Sequence, residues 1–334
     1  MENTKNPNGN TVSAKDYLEK GDALYNQKDY KSAISAYSNA IHLDSDNARA
    51  YYNRGVAKKN LGQLEEAISD YDEAIRLAPN DARTYNNRGN TKSNLADHEA
   101  AISDFNEAIR LDPNDARAYN NRGVAKKNLG QLEEAISDYD EAIRLDPNDA
   151  RIYNNRGVAK SELGQLEEAI SDYDEAIRLN SKYANAYNNR GIAKDNLGEH
   201  FEAVSDYDEA IRLDPNDAKA YYNRGIAKSE LGHPKAAISD YDEAIRLNPK
   251  YTNAYYNRGV ERIELGEYFE AISDYNEAIR LDPNDADAYY NRGNAKRNLG
   301  HPEAAIPDYD KAIRLDPNNT RAHASKEKAK KEIK

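Results

Sequence analysis

Residues 116–149 read ARAYNNRGVAKKNLGQLEEAISDYDEAIRLDPND, and nearly the same 34 residues recur on both sides of them. A shift of 34 superposes Gly21, Gly55, Gly89, Gly123, Gly157, Gly191, Gly225, Gly259 and Gly293. It also superposes Ala33, Ala67, Ala101, Ala135, Ala169, Ala203, Ala237, Ala271 and Ala305 in the same register. Nine copies therefore follow one another without a gap, at 14–47, 48–81, 82–115, 116–149, 150–183, 184–217, 218–251, 252–285 and 286–319.

Within 116–149 the spacing predicts two helices. Tyr119, Gly123, Lys126 and Leu129 recur at three- and four-residue steps, and after Gly130 a second run, Leu132, Ala135, Ile136, Tyr139, Ala142 and Ile143, draws one apolar stripe. Gly130 supplies the turn between them. Pro147 ends the second helix, because proline cannot continue one and disfavours the helical state of the residue before it, and Asp149 is placed to cap the next. The small residues Gly123 and Ala135 let the two helices approach, Ala142 leaves room for the following copy, and Tyr119 and Tyr139 fill the remaining space. A helix pair of this size cannot bury its apolar face alone, so the copies are expected to stack on their neighbours.

Here the chain resembles the tetratricopeptide repeat family. In 48–81 the family pattern falls on Tyr51, where Trp is typical, and on Gly55, Ala67, Tyr71, Ala74 and Pro79. Two departures recur: Arg54 stands where the family has Leu, and Lys58 where it has Tyr. The resemblance implies an all-α, right-handed α-solenoid (superhelix) of helix-turn-helix repeats, with first helices lining a concave groove and second helices forming the convex surface. It implies a non-catalytic protein–protein interaction scaffold that binds a peptide segment of a partner protein in that groove.

The groove-facing residues divide by type. Every copy from the second onward places an asparagine two residues before its glycine: Asn53, Asn87, Asn121, Asn155, Asn189, Asn223, Asn257 and Asn291. An amide offers two donors and an acceptor, so a row of them can pair with an extended backbone whatever its side chains; the row is similar to the asparagine ladder in the tetratricopeptide superhelix of the O-linked N-acetylglucosamine transferase. The plainer reading is that these amides bridge neighbouring repeats. Beside them Tyr52, Tyr222, Tyr256 and Tyr290 alternate with Asn86, Asn120, Asn154 and Asn188, and tyrosines are good anchors for a partner. Arg49, Arg83, Arg117, Arg151 and Lys127 are expected to meet acidic groups. First-helix charge is +4, +3 and +4 in copies two to four and 0 in copy eight, so an acidic ligand belongs to the N-terminal half. The basic clamp by which some family members hold a C-terminal carboxylate is not matched: its first place is Leu, Tyr or Asn throughout, and its last is Asn where Arg is needed.

The recurrent departures form a set. Arg54 and Lys58 lie one helical turn apart and occur with Asp70, and every later copy keeps an Arg, a base and an Asp at those places, whereas the first has Lys20, Leu24 and Ala36. An ion network between the helices of each repeat is the expected outcome.

Composition narrows the rest. A formal net charge of −12 disfavours bulk attraction to nucleic acid or anionic membrane. With no cysteine there is no disulfide framework or thiolate metal site. The histidines, His42, His98, His200, His233, His301 and His323, are scattered, and AspProAsnAsp lacks the glycine and distal glutamate of a calcium loop. No catalytic residues, cofactor, metal or membrane insertion are expected, and the compartment is expected to be cytoplasmic. Residues 1–13 are expected to be a disordered tail. Residues 320–334 are expected to form a capping helix using Ala322, Ala329 and Ile333. Tyr183 and Tyr251 are expected to staple the helices that follow them, and Pro307 to delay or distort its helix. The monomeric or weakly self-associating scaffold has two rivals: a self-assembling structural array, and an accessory or targeting subunit of an enzyme complex.

Overall fold

The computed structural model describes residues 12–333, so the tail expected to be disordered lies outside the described residues except for Val12 and Ser13. The chain divides into two compact units, Met1–Gln165 and Leu166–Lys334, with the division between the two helices of the fifth copy.

The first unit holds α1 (Ala14–Asn26), α2 (Tyr30–Leu43), α3 (Ala48–Asn60), α4 (Leu64–Leu77), α5 (Ala82–Asn94), α6 (His98–Leu111), α7 (Ala116–Asn128), α8 (Leu132–Leu145) and α9 (Ala150–Glu162). The second holds α10 (Leu166–Leu179), α11 (Ala184–Asn196), α12 (His200–Leu213), α13 (Ala218–Glu230), α14 (Pro234–Leu247), α15 (Thr252–Glu264), α16 (Tyr268–Leu281), α17 (Ala286–Asn298), α18 (Pro302–Leu315) and α19 (Thr320–Glu332). Within each unit, each helix packs on its neighbours in sequence, and successive first helices also touch. Each unit is thus an all-α stack of helix pairs, the packing of a helical-repeat solenoid.

The turns follow the residues that make them. Gly130 adopts φ +75°, the left-handed state that lets α7 stop and α8 begin; Lys28 and Ala96 hold φ 62° at the equivalent turns without glycine's freedom. Asp149 accepts from the Arg151 backbone N–H as the N-cap of α9, and Ser13 with Asp16 closes a reciprocal capping box on α1.

The core is built of alanine and aromatic rings. Ala118, Ala125, Ala135 and Ala142 are wholly buried; Ala135 and Ala142 pack with Tyr139, and Ala125 with Phe105 of the preceding repeat. A Cβ on Gly123 would stand 2.7 Å from the Tyr139 ring, so only glycine admits that ring between α7 and α8. Leu129, which the spacing counts with the helical stripe, instead sits just past the end of α7 and is exposed.

Between the helices the ion network forms. Asp138 is buried on α8 and accepts from Arg122 Nε at 2.9 Å and Nη2 at 2.6 Å, with Lys126 Nζ at 2.8 Å. The same guanidinium reaches back to Asn106 Oδ1 of α6 at 2.7 Å and lies over the Tyr119 ring at 5.5 Å. One arginine therefore ties three helices together, within its repeat and to the repeat before. Arg88 does the same with Asp104 and Asp72, and in the second unit Arg224 with Asp240 and Asp208. The reach to the preceding repeat is not part of the expected pattern.

Two expectations are corrected, the late start of α18 and the burial of Ile333. Helix α18 begins at Pro302, in the register at which α14 begins at Pro234, and carries Pro307 inside it, so the late start does not occur. In α19 Ala322 and Ala329 are buried, but Ile333 is exposed: it falls at the C-cap, beyond the last turn that faces α18. Tyr251 is the N-cap residue of α15, and its ring packs at 4.7 Å on Tyr222 of the preceding first helix.

Candidate functional site

The expected groove residues lie on the first helices, and the asparagines already spend a donor there. In the first unit Asn53 Nδ2 donates to Asp22 Oδ1 at 2.8 Å, Asn87 to the Tyr52 hydroxyl at 2.9 Å, Asn121 to Asn86 Oδ1 at 3.0 Å and Asn155 to Asn120 Oδ1 at 3.0 Å. In the second, Asn223 donates to Asn188 Oδ1 at 3.2 Å, and Asn257 and Asn291 donate to the hydroxyls of Tyr222 and Tyr256 at 3.1 and 2.9 Å. Asn189 is half-buried on α11. The bonds recur because Asn121 and its equivalents sit one residue C-terminal, in their own repeats, to the position that Asn86 or Tyr52 fills in the repeat before. Asn87 also donates to the Arg83 carbonyl, so both its donors are spent and its Oδ1 remains for a ligand.

The tyrosines are half-buried rather than freely exposed. Burial raises the hydroxyl pKa of Tyr52, Tyr222 and Tyr256, so these groups stay neutral and keep their protons as donors near neutral pH. Arg83 lies over the Tyr52 ring at 5.7 Å and Arg321 over Tyr290 at 5.3 Å.

The expected cationic residues have partners too. Arg49 reaches Asp22 at 2.6 Å, whereas Arg83, Arg117 and Arg151 fold back on Asp81, Asp115 and Asp149, the N-caps of their own helices, at 3.0, 3.0 and 2.6 Å. The Arg151 side-chain hydrogen bond holds the Asp149 carboxyl below its ordinary pKa. These arginine side chains remain two-thirds or more exposed, so each pair contributes about 0–1 kcal/mol and leaves guanidinium donors within reach of a ligand. Lys127 Nζ stands 3.8 Å from Glu162.

Three cavities of the first unit share Tyr52. One of about 560 Å³ is lined by Arg49, Tyr52, Asn53, Asp81 and Arg83. A second of about 300 Å³ is lined by Tyr52, Arg83, Asn87, Asn121 and Arg151 among others, and a third of about 390 Å³ by Asp22, Tyr25, Tyr37, Arg49, Tyr52 and Asn53. Asp22 was not singled out by the sequence, yet it accepts from Tyr37, Arg49 and Asn53 at 2.9, 2.6 and 2.8 Å. Its signal is that it stands where Val56, Val124 and Val158 stand in other copies. Among the described residues, no three of His, Cys, Asp and Glu gather into a group that would hold a metal ion.

Helix pairs of fixed length, a glycine that receives the next helix's aromatic ring and a polar ladder on the first helices define a class of helical-repeat proteins built for contact with other proteins. The chain belongs to the tetratricopeptide repeat family. A family model described as a TPR repeat matches residues 21–62, 97–130, 127–164, 159–198, 196–232 and 261–300, and models described as tetratricopeptide repeats match 48–81, 218–251, 286–319 and 70–103. Proteins of this family are in general non-catalytic interaction scaffolds.

Among solved structures the chain is similar to YrrB, described as a TPR protein with an unusual peptide-binding site, at 30% identity and a TM-score of 0.51, over 57% of this chain and 97% of that one. It is similar in fold to the Cut9-Hcn1 hetero-tetramer of the APC/C, at 16% identity and a TM-score of 0.59, over 95% of this chain and 76% of that one. It is also similar in fold to pilF of Pseudomonas aeruginosa, at 19% identity and a TM-score of 0.58, over 64% and 97%. Among curated proteins none matches the sequence. No helix among the described residues is long and apolar enough to cross a membrane.

Proposed function

We propose that this chain is a non-catalytic scaffold that holds an extended, acidic peptide segment of a partner protein along the first helices of its first unit. The observation that carries this reading is the convergence of three cavities on Tyr52, between arginines whose heads remain exposed and asparagines with oxygen to spare. Because one Nδ2 hydrogen of each bridging asparagine is engaged with the repeat before, the ladder meets a peptide through Oδ1, which accepts from backbone N–H, and through the second Nδ2 hydrogen where that is not spent as it is in Asn87. Arg49, Arg83, Arg117 and Arg151 then exchange part of their contact with Asp22 and the N-cap aspartates for the peptide's carboxylates. The second unit carries Asn185, Lys219, Asn253 and Asp287 at the same place, so its preference is less acidic. The peptide-binding description of YrrB supports the class of ligand.

Affinity capture tests the reading with three forms of the full chain whose melting curves agree: intact, Asn87→Ala with Asn121→Ala and Asn155→Ala, and Arg83→Gln with Arg117→Gln and Arg151→Gln. A protein retained by the intact chain and lost by both variants is the expected result. The same protein retained by all three would place binding elsewhere and defeat the reading.

A further inference from the structure

The chain has three phenylalanines. Phe105 is wholly buried, whereas Phe201 and Phe269 are each 72% exposed. Both are the second residue of a second helix, in α12 and α16, two repeats apart within the second unit. Five other repeats carry Glu65, Glu99, Glu133, Glu167 and Glu303 at that register, and the first and seventh carry Lys31 and Lys235. A large ring in place of a solvated carboxylate, twice in one register, is not required by the core, since the copies with glutamate fold the same way.

The surroundings repeat as well. Phe201 lies in GluHisPheGlu and Phe269 in GluTyrPheGlu. The carboxylates of Glu199, Glu202, Glu267 and Glu270 are exposed and make no ion pair among the described residues, whereas Glu209 and Glu277 further along the same helices are held by Arg212 and Arg280. Each ring is therefore an apolar knob between two free negative charges. We propose that Phe201 and Phe269 form a two-point docking surface on the second helices of the second unit, and that its occupant is a basic amphipathic helix of a partner protein.

Charge complementarity selects that occupant. A second copy presenting the same face would bring these four glutamates against four more, in a chain of net charge −12. The lysines of α19 are partly engaged where they are, Lys326 with Asp310 and Lys330 with Glu327. A basic helix instead places two apolar side chains on the rings while its lysines and arginines meet the glutamates, the helix-in-groove mode with charged flanks. Helices packed about 8–10 Å apart put α12 and α16 within about 40 Å along the packing path, and a helix of about 27 residues spans roughly 40 Å. One such helix suffices for both anchors.

The probe is a dye-labelled amphipathic peptide of about 27 residues made of leucine and lysine, with a scrambled peptide of the same composition as control. Fluorescence anisotropy is measured on the full chain, on Phe201→Glu, on Phe269→Glu and on the double variant. These changes restore the residue other repeats carry, so the fold is retained, and circular dichroism checks it. We expect binding that weakens about tenfold in each single variant and about a hundredfold in the double variant, as for paired aromatic anchors, and that falls with added salt. Equal binding by the intact chain and the double variant, or equal binding of the scrambled peptide, would overturn the proposal. Sedimentation showing that the intact chain dimerises and the double variant does not would also overturn it, by assigning the rings to a second copy.

Discussion

At the scale of single residues, the feature that separates this chain from a generic helix pair is a buried carboxylate held by two cations. Asp138 is about as buried as the alanines around it, so removing it leaves Arg122 and Lys126 without their anion, and Asp138→Ala is expected to cost roughly 3 kcal/mol by denaturant unfolding. The cycle completed by Arg122→Met should give a coupling energy of about 1–3 kcal/mol, and additive single changes would show that the network is ornamental. Glu261 tests the opposite case. It stands where other copies have Ala57, Thr91 or Ala125, is 4% exposed, and its carboxyl accepts from the Ser229 hydroxyl at 2.6 Å. Burial raises its pKa above the ordinary 4.5, aided by Glu264 of α15 and Glu230 of α13; Tyr241 of α14 and Tyr275 of α16 also face it, and none of these is a cation. The folded chain thus holds this proton more tightly than the unfolded chain, so its contribution is fully present below pH 4.5 and is lost as pH rises through the raised value. Glu261→Ala should leave the melting temperature nearly unchanged at about pH 4 and stabilise by roughly 1–3 kcal/mol at neutral pH; an equal gain at both pH values would rule out ionisation as the cause. The Arg–Lys–Asp set was legible because three charged residues recur together at fixed places. Glu261 and Asp22 were not, since each occurs once and its meaning depends on which helix faces it.

At the scale of elements, helix and turn positions were readable because the repeat states each of them nine times. The helix termini fall where Gly130, Pro147 and Asp149 place them, while Leu129 was misassigned because it continues the spacing of α7 one residue beyond the last turn. Ala118 and Ala125 were overlooked as core, since alanine gives little periodic signal even where it is wholly buried. The groove was half legible. The ladder of asparagines was evident, but its direction of donation is set by the offset between successive repeats, which no single copy contains. Turn chemistry yields a test at this scale. Ala96 holds φ 62° where seven other inter-helix turns of this kind have a glycine with nothing within 4 Å of an added Cβ. Ala96→Gly should therefore stabilise by about 1 kcal/mol, and Gly130→Ala should destabilise by a similar amount. Urea midpoints for the two variants moving in the same direction would refute the assignment of strain to that backbone state.

At the scale of the whole molecule, the packing within each unit connects only helices that are close in sequence, so stability is expected to accumulate repeat by repeat rather than through contacts that close the chain on itself. Deletion is the sharpest test. Removing 116–149 joins Asp115 to Ala150, which reproduces the Asp149–Ala150 step, and it brings α6 against α9 with the partners α6 has for α7 now supplied by their equivalents. Arg156 would then reach Asn106 in place of Asp140, as Arg122 does now, and Asn155 would donate to Asn86 in place of Asn120, as Asn121 does now. The shortened chain should keep its helicity per residue by circular dichroism and unfold at a slightly lower denaturant midpoint, with a smaller m-value in proportion to the surface removed. Deleting 17 residues from the same place, Ala116 to Leu132, removes the same kind of sequence but destroys the alternation, leaving two second helices in succession with no glycine to receive the Tyr139 ring. That chain should lose far more helicity than the 34-residue deletion despite being longer. If the two deletions behave alike, the period is a property of the sequence alone and not of the packing.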